Sequence, residues 1–240
     1  MTLMPHEYQH HWRWYLSAMF YRFTYNQISH QLDDDLFAYL GERISGAVVA
    51  DCGCGPGFVA EKFLNQGTSK VFAIDVNPVM VEQTRRRLAR YINGGQAEAI
   101  CQEFGENLFK YLKSNGGKTM DIILFKRSLY SRPSEATKIL SAARKILAPD
   151  GLLVVIHPER SLRKYAFGPR LQLKSYTAYH MFNRTISLLG DWTGVGQYTL
   201  YDQGELLTMI RNAMPGFQVY AIPTAQHAFN IVVAHETMGH

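Results

Sequence analysis

The chain has 240 residues, a formal net charge of +5, and 47% hydrophobic and 19% charged residues. These values favour neither a disordered nor a fibrous protein, and the length predicts a single domain over residues 1–240. No apolar run approaches the roughly 20 residues that span a bilayer, and the N-terminus lacks a secretory signal, so we expect a cytoplasmic protein. The mildly basic charge favours an anionic partner without identifying it.

Apolar runs of strand length alternate with segments of helical periodicity through most of the chain. This alternation favours an α/β fold with a parallel sheet and helices on both faces. The predicted strands are Val48–Ala50, Val71–Ile74, Ala97–Cys101, Met120–Phe125 and Leu152–His157. The predicted helices are Phe58–Asn65, Val79–Tyr91 after an Asn77-Pro78 cap, a short one ending at Leu112, and Ser134–Leu147 before a turn at Ala148–Gly151.

The C-terminal part departs from this alternation. After a predicted helix at Gly204–Ala213, the strands Phe217–Ile222 and Phe229–Ala234 are separated by only six residues. So short a connection cannot cross over between parallel strands, so we predict an antiparallel hairpin. Two segments lie outside the repeating pattern, an aromatic-rich N-terminal lid over residues 1–40 and an insertion over residues 158–201. We expect both to contribute to substrate specificity, because ligands of such sheets bind where these segments emerge.

The segment VVADCGCGPG, residues 48–57, places glycines at alternate positions after a predicted strand. A dinucleotide fingerprint would need a third glycine at Phe58, and no Gly-Lys-Ser/Thr follows for a phosphate loop. Asp51 would repel a pyrophosphate but could accept hydrogen bonds from an ammonium group. Asp75 ends the second strand, where a carboxylate can bind two ribose hydroxyls. S-adenosylmethionine satisfies both requirements.

The three cysteines do not form a metal-binding pattern. Cys52 and Cys54 flank a glycine within the loop, Cys101 lies apart, and no further ligands follow at matching spacing. We predict no metal and interpret the thiols as structural or incidental.

The sequence resembles the Rossmann-like, class I, S-adenosylmethionine-dependent methyltransferases of the small-molecule type. The resemblance is carried by VVADCGCGPG, VFAIDVNPVM, MDIILF, ILAPDGLLVVI and the late GELLTMIRNAMPGF. It implies a seven-stranded, mostly parallel sheet with an antiparallel C-terminal hairpin and helices on both faces. The cofactor-binding residues it implies are Asp51, Gly53, Cys54, Gly55 and Gly57 at the methionine end, Asp75 at the ribose, Val76, Glu103 and Phe104 at the adenine, and Lys126 and Tyr25 around the site; Gln102 is an alternative to Glu103.

The stretch Phe125-Lys126-Arg127-Ser128-Leu129-Tyr130 departs from the Asn/Asp-Pro-Pro-Tyr/Phe motif of enzymes that methylate base amines or glutamine. This departure disfavours a DNA-base or glutamine methyltransferase. Methyl transfer from a sulfonium mainly requires alignment, and a general base is needed only for acceptors that retain a proton. His157 is the first candidate base, Tyr130 could orient an acceptor, and His180 is an alternative; His157 and Tyr130 also have a purely structural interpretation.

Candidate substrate contacts are Tyr21 in the lid, Arg127 after the fourth strand, and Tyr176 and Tyr179 in the insertion. Aromatic walls indicate an apolar or aromatic small molecule, and basic residues after strands four and five indicate an anionic group on it. A protein that binds S-adenosylmethionine without catalysis and an RNA methyltransferase remain alternatives. Nucleic acid is not the expected partner, since no RNA-binding motif is present. The sequence does not determine the oligomeric state.

Overall fold

The computed structural model describes residues 32–116, 119–129, 133–158, 201–223 and 229–236. Its centre is a seven-stranded sheet with the strand order β3-β2-β1-β4-β5-β7-β6. The strands are β1 (Val48–Cys52), β2 (Lys70–Asp75), β3 (Ala97–Cys101), β4 (Met120–Lys126), β5 (Leu147–Pro158), β6 (Phe217–Ile222) and β7 (Phe229–Glu236). Strands β1 to β5 pair in parallel, and β7 pairs antiparallel with both β5 and β6. The predicted fold class, including the reversed last strand, is confirmed.

Helices cover both faces of the sheet. They are α1 (residues 32–40), α2 (Phe58–Asn65), α3 (Pro78–Arg87), α4 (Ala89–Asn93), α5 (Glu106–Gly116), α6 (Pro133–Arg144) and α7 (Gln203–Ala213). Side chains that alternate along each strand point to opposite faces. One face packs against α5, α6 and α7 through residues such as Phe125 and Val155, and the other packs against α1 and α2 through residues such as Leu124 and Ile156.

Several predicted elements have other bounds in the structure, and two segments differ in kind from the prediction. The predicted helix Val79–Tyr91 is broken at Leu88, which lies between α3 and α4 and is fully buried. The predicted turn Ala148–Gly151 lies inside β5, where Met120 pairs with Leu147 but Ile122 pairs with Leu152. The extra residues form a bulge, because both ends of this segment pair with β4 while its middle does not.

Local capping explains where two helices begin. The Asn77 side chain accepts hydrogen bonds from the backbone amides of Val79 and Met80, and Pro78 occupies the first turn of α3. Asp202 and Glu205 form a reciprocal capping box at the start of α7. Among the described residues, no helix is long and apolar enough to cross a membrane.

Candidate cofactor and active site

The glycine loop between β1 and α2 has a backbone that favours glycine. Gly53, Gly55 and Gly57 have φ angles of +88°, +53° and +80°, a region that other residues rarely adopt. The amides of Gly53 and Cys54 both donate to the carbonyl of Ile74, over 2.7 and 2.9 Å. The loop is therefore held against the end of β2, where Asp75 follows.

Asp75 connects the glycine loop to the start of α3. Its Oδ2 accepts a 2.9 Å hydrogen bond from the Gly55 amide, and its Oδ1 accepts a 2.8 Å hydrogen bond from the Asn77 amide. Burial raises the pKa of this half-buried carboxyl group, while the backbone amides around it lower that pKa. Since each carboxylate oxygen has two lone pairs, Asp75 retains acceptor capacity for the hydroxyls of a ribose.

Helix α3 supports the glycine loop from behind. The Thr84 hydroxyl donates to the Gly55 carbonyl over 2.7 Å, and Arg87 Nε donates to the Pro56 carbonyl over 2.9 Å. Arg87 also pairs with Glu61 of α2 at 2.9 Å. Neither support was predicted, because local periodicity places Arg87 on a solvated face and gives no signal for a bond to a loop 31 residues away.

Asp51 lies at the end of β1 and is only 1% exposed. Burial raises the pKa of its carboxyl group to about 7; the nearby Lys126 ammonium and a hydrogen bond from the Ala60 amide lower it, and the Asp33 and Asp75 carboxylates raise it. Within the described part of the chain, Asp51 Oδ2 has no hydrogen-bond partner. A buried acceptor without a donor is costly, and the ammonium group of S-adenosylmethionine is a donor of suitable charge. The observed residues therefore fit this cofactor.

A buried ion pair lies beside Asp51. Lys126, at the end of β4, bonds through its ammonium group to Asp33 Oδ1 of α1, and the two side chains are 2% and 4% exposed. Burial lowers the pKa of Lys126, and Asp33 counteracts this effect. Lys126 was predicted to lie at the cofactor site, and the structure places it next to Asp51. Asp33 was not predicted, since it lies 93 residues from Lys126 in sequence.

The candidate adenine-binding residues lie beside Asp75. The amide of Gln102 donates to the Asp75 carbonyl over 3.1 Å. Val76 is half-buried, Glu103 is exposed and Phe104 is half-buried. The Phe104 ring packs edge-on against Phe125, with ring centroids 5.5 Å apart. The structure therefore brings the predicted adenine contacts next to the predicted ribose contact.

The segment after β4 fits tightly against the glycine loop. Arg127 has a φ angle of +56°, the only positive φ of a non-glycine residue in the described part of the chain. Its amide donates to the Ile156 carbonyl over 2.7 Å, and the Ser128 hydroxyl donates to the Cys52 carbonyl. A Cβ atom at Gly53 would lie 2.1 Å from Ser128 Cβ. Arg127 was predicted as a substrate contact and is buried here, whereas Ser128 was not predicted.

The loop thiols are buried and show no metal-binding arrangement. Burial raises the pKa of Cys52 and Cys54 well above the ordinary value, so both thiols are protonated at neutral pH. Cys54 Sγ lies 3.7 Å from the Thr84 hydroxyl, on the side of the loop that α3 supports. Among the described residues, no group of three or more histidine, cysteine or acidic side chains could hold a metal ion.

His157 is at the carboxyl end of β5, as predicted, but it is fully buried. Its ring lies 5.0 Å from the ring of Tyr201, which belongs to the cluster on the α5, α6 and α7 face. Asp51 and Lys126 lie on the opposite face, beside α1 and α2. The structure therefore does not bring His157 together with these two residues, and its role as a base stays a prediction.

Six predicted site residues lie outside the described residues. They are Tyr21 and Tyr25 of the N-terminal segment, Tyr130 after β4, and Tyr176, Tyr179 and His180 of the insertion. Their roles, and those of the lid and the insertion, stay predictions. The candidate site thus consists of the loop, Asp51, Asp75, the adenine-side segment and the ion pair.

Comparison with known proteins agrees with this geometry. Residues 49–151 match a family model described as a methyltransferase domain. No curated protein matches the chain.

Solved methyltransferase structures have a similar fold. An O-methyltransferase family protein from Burkholderia thailandensis has 16% identity and a TM-score of 0.66, over 93% of this chain and 60% of that one. Magnesium protoporphyrin IX methyltransferase from Synechocystis PCC 6803, solved with bound S-adenosylhomocysteine, has 16% identity and a TM-score of 0.63, over 94% of this chain and 97% of that one. Mitomycin 7-O-methyltransferase has 17% identity and a TM-score of 0.61, over 93% of this chain and 60% of that one.

The chain thus spans 60% of the Burkholderia and mitomycin enzymes but nearly all of the Synechocystis one. At these identities the structures establish the fold, and the family model establishes the type of domain. The glycine loop, Asp51 and Asp75 supply a site that suits the cofactor of this class. Residues 49–151 therefore match a methyltransferase domain, and the chain around them has the Rossmann-like fold of the solved methyltransferase structures.

Proposed function

We propose that the protein transfers a methyl group from S-adenosylmethionine to a small, apolar or aromatic metabolite that carries an anionic group. The observation that carries the proposal is the buried Asp51 carboxyl group, whose Oδ2 lacks a partner among the described residues and whose loop is fixed to Asp75. Asp51 can therefore accept a hydrogen bond from the methionine end of the cofactor, and Asp75 can accept hydrogen bonds from its ribose.

Different residues would bind the two ends of the cofactor. When bound, the cofactor supplies a methyl group on a positively charged sulfur that is already an activated leaving group. Asp51 would hold the ammonium group, Asp75 would accept from the ribose hydroxyls, and Val76 and Phe104 would flank the adenine. Since the chemistry needs alignment more than acid–base catalysis, rigid anchoring of the loop by Thr84 is itself a contribution to rate.

The nature of the acceptor is supported by composition and by the names of similar structures. The magnesium protoporphyrin IX and mitomycin enzymes are named for small, ring-containing acceptors. The N-terminal segment and the insertion are rich in aromatic side chains, including Tyr21, Tyr176 and Tyr179. Arg127 and its basic neighbours would suit an anionic group on the acceptor.

Calorimetry with S-adenosylmethionine and S-adenosylhomocysteine tests the cofactor site. We expect wild type to bind both, and Asp75→Ala to bind each about 10- to 100-fold more weakly, because charged hydrogen bonds to two hydroxyls are lost. Asp150→Ala, which removes an exposed carboxylate in the β5 bulge, serves as the matched control. No binding by wild type at millimolar cofactor would refute the proposal.

A second experiment identifies the acceptor. The protein is incubated with cofactor carrying a labelled methyl group and a small-molecule extract, and products are detected by mass spectrometry. We expect label in a small aromatic compound. Label only in RNA, or binding without any methyl transfer, would replace the proposal with one of the two alternatives from the sequence.

A further inference from the structure

Lys126 is a cation buried next to the position where a cationic ligand is expected. Its side chain is 2% exposed, and its charge acts on the carboxyl group of Asp51. A lysine at this point could pair with Asp51 and so occupy the oxygen that the ammonium group of the cofactor needs. The structure shows instead that Lys126 bonds to Asp33. Asp51 Oδ2 thereby stays without a partner in the described part of the chain.

The position of Asp33 is fixed by the packing of α1. Leu32, Leu36 and Leu40 are buried in the cluster beneath this helix, and Phe37 packs against Phe63 of α2 with ring centroids 4.7 Å apart. The next residue, Asp34, is exposed and pairs with Lys62 at the surface. Asp33 therefore faces the sheet because the helix buries the side on which it lies.

We propose that Asp33 is a positioning residue of the cofactor site: by holding and neutralising Lys126, it keeps Asp51 available for the ammonium group of the ligand. Asp33 and Asp51 are the two carboxylates of the described residues that act on Lys126, so we expect Lys126 to pair with Asp51 when the Asp33 charge is removed. Helix α1 thus contributes to cofactor affinity through Lys126 and not by contact with the cofactor. This inference rests on the proposed function, since it assumes that S-adenosylmethionine binds at Asp51.

The charged surroundings of Asp51 predict how pH acts on this arrangement. Lys126 faces it from β4, Asp33 from α1 and Asp75 from β2, while the Ala60 amide approaches from α2. In wild type the carboxyl group becomes protonated as the pH falls below about 7, so affinity for a cationic ligand should fall over the same range. When Lys126 pairs with Asp51 in the Asp33→Asn variant, this pairing lowers the pKa of Asp51. The loss of affinity for a cationic ligand then occurs at lower pH.

The test compares four proteins by calorimetry with S-adenosylmethionine and S-adenosylhomocysteine between pH 5.5 and 8.5. They are wild type, Asp33→Asn, Lys126→Met and the double variant Asp33→Asn/Lys126→Met. At pH 8 we expect Asp33→Asn to bind both ligands about tenfold more weakly, the effect of one competing charge at short range. The double variant should return to within about threefold of wild type, because the competing ammonium is absent.

Controls separate a positioning role from a structural one. Asp34→Asn makes the same chemical change one residue along α1 and should leave affinity unchanged. If Asp33→Asn does not fold, the double variant remains informative, because replacing a buried ion pair by neutral groups is often tolerated. A double variant as weak as Asp33→Asn, or Lys126→Met alone losing tenfold, would overturn the inference and assign Lys126 a direct contact. If wild type binds neither ligand, the proposed function is instead overturned.

Discussion

Replacing Asp51 with asparagine should separate the stability of the fold from the binding of the cofactor. The carboxyl group is 1% exposed, and burial raises its pKa to about 7 from an ordinary value of 3.8. This difference corresponds to about 4 kcal/mol in favour of the protonated form. The ionised group therefore destabilises the fold at pH 8 when no cofactor is bound. Asp51→Asn removes this charge while keeping the shape of the side chain.

The sign of the pH dependence follows from the two pKa values. Because the pKa is higher in the folded state than in the unfolded state, the stability from protonated Asp51 is complete below pH 4 and is lost as the pH rises through 7. At pH 8 we expect Asp51→Asn to be more stable than wild type by about 2 kcal/mol and by no more than about 4, since Lys126 loses one acidic neighbour. At pH 4 the two proteins should be nearly equal in stability.

Urea unfolding of the cofactor-free proteins at pH 4, 6 and 8 measures this difference, with Asp150→Asn as the exposed-carboxylate control. Calorimetry at pH 8 should show that Asp51→Asn binds S-adenosylmethionine at least about tenfold more weakly, because a charged hydrogen bond is lost. A stability difference that is the same at all three pH values would refute the electrostatic reasoning. Unchanged cofactor affinity would refute the assignment of Asp51 to the ammonium group.

Two further predictions concern the loop and the β5 terminus. Gly53→Ala should lower the free energy of unfolding by about 2 to 5 kcal/mol. The added Cβ would lie 2.1 Å from Ser128 Cβ, and a residue with a side chain is strained at a φ angle of +88°. Adding Ser128→Gly should recover part of this loss in a thermal melt, and a double variant no more stable than the single would contradict the packing argument. His157→Gln should lower the free energy of unfolding by about 1 to 3 kcal/mol, since a buried polar ring loses its contacts, but leave turnover within about threefold. A loss of about 100-fold in kcat with an altered pH profile and unchanged stability would identify His157 as the base.

Regular elements were predictable where the local pattern was strong. The bounds of α2 and β6 agree with the sequence-based expectation, because apolar periodicity and flanking breakers fix them locally. The break at Leu88 was not predictable, since the helical periodicity of the segment continues through this residue. Leu88 is buried in the cluster on the α1 and α2 face of the sheet, and this packing is visible only in the folded protein. The β5 bulge was interpreted as a turn because Pro149 and Gly151 signal one, and pairing of both ends with β4 is visible only in three dimensions.

The site was predictable to the extent that a motif encodes it. Asp51, the three glycines and Asp75 were predicted as cofactor contacts because of their spacing and their places after strands, and the structure brings the loop and Asp75 together. Asp33, Thr84 and Ser128 were missed, as no local pattern distinguishes them from other polar residues on helices and loops. Lys126 at the end of a predicted strand could have prompted a search for an acidic partner. The sequence alone could not have selected Asp33, because Asp34 and Asp35 follow it directly.

The sequence by itself determined the order of strands and helices, the reversal of the last strand, and the class of ligand at VVADCGCGPG, because these depend on residues close together in the chain. The tertiary structure alone decided which side chains share a buried space. Thr84 reaches Gly55 across 29 residues, Ser128 reaches Cys52 across 76, and Lys126 reaches Asp33 across 93. Such contacts depend on how helices pack on the sheet, and burial then sets the charge state of Asp51 and the partner of Lys126.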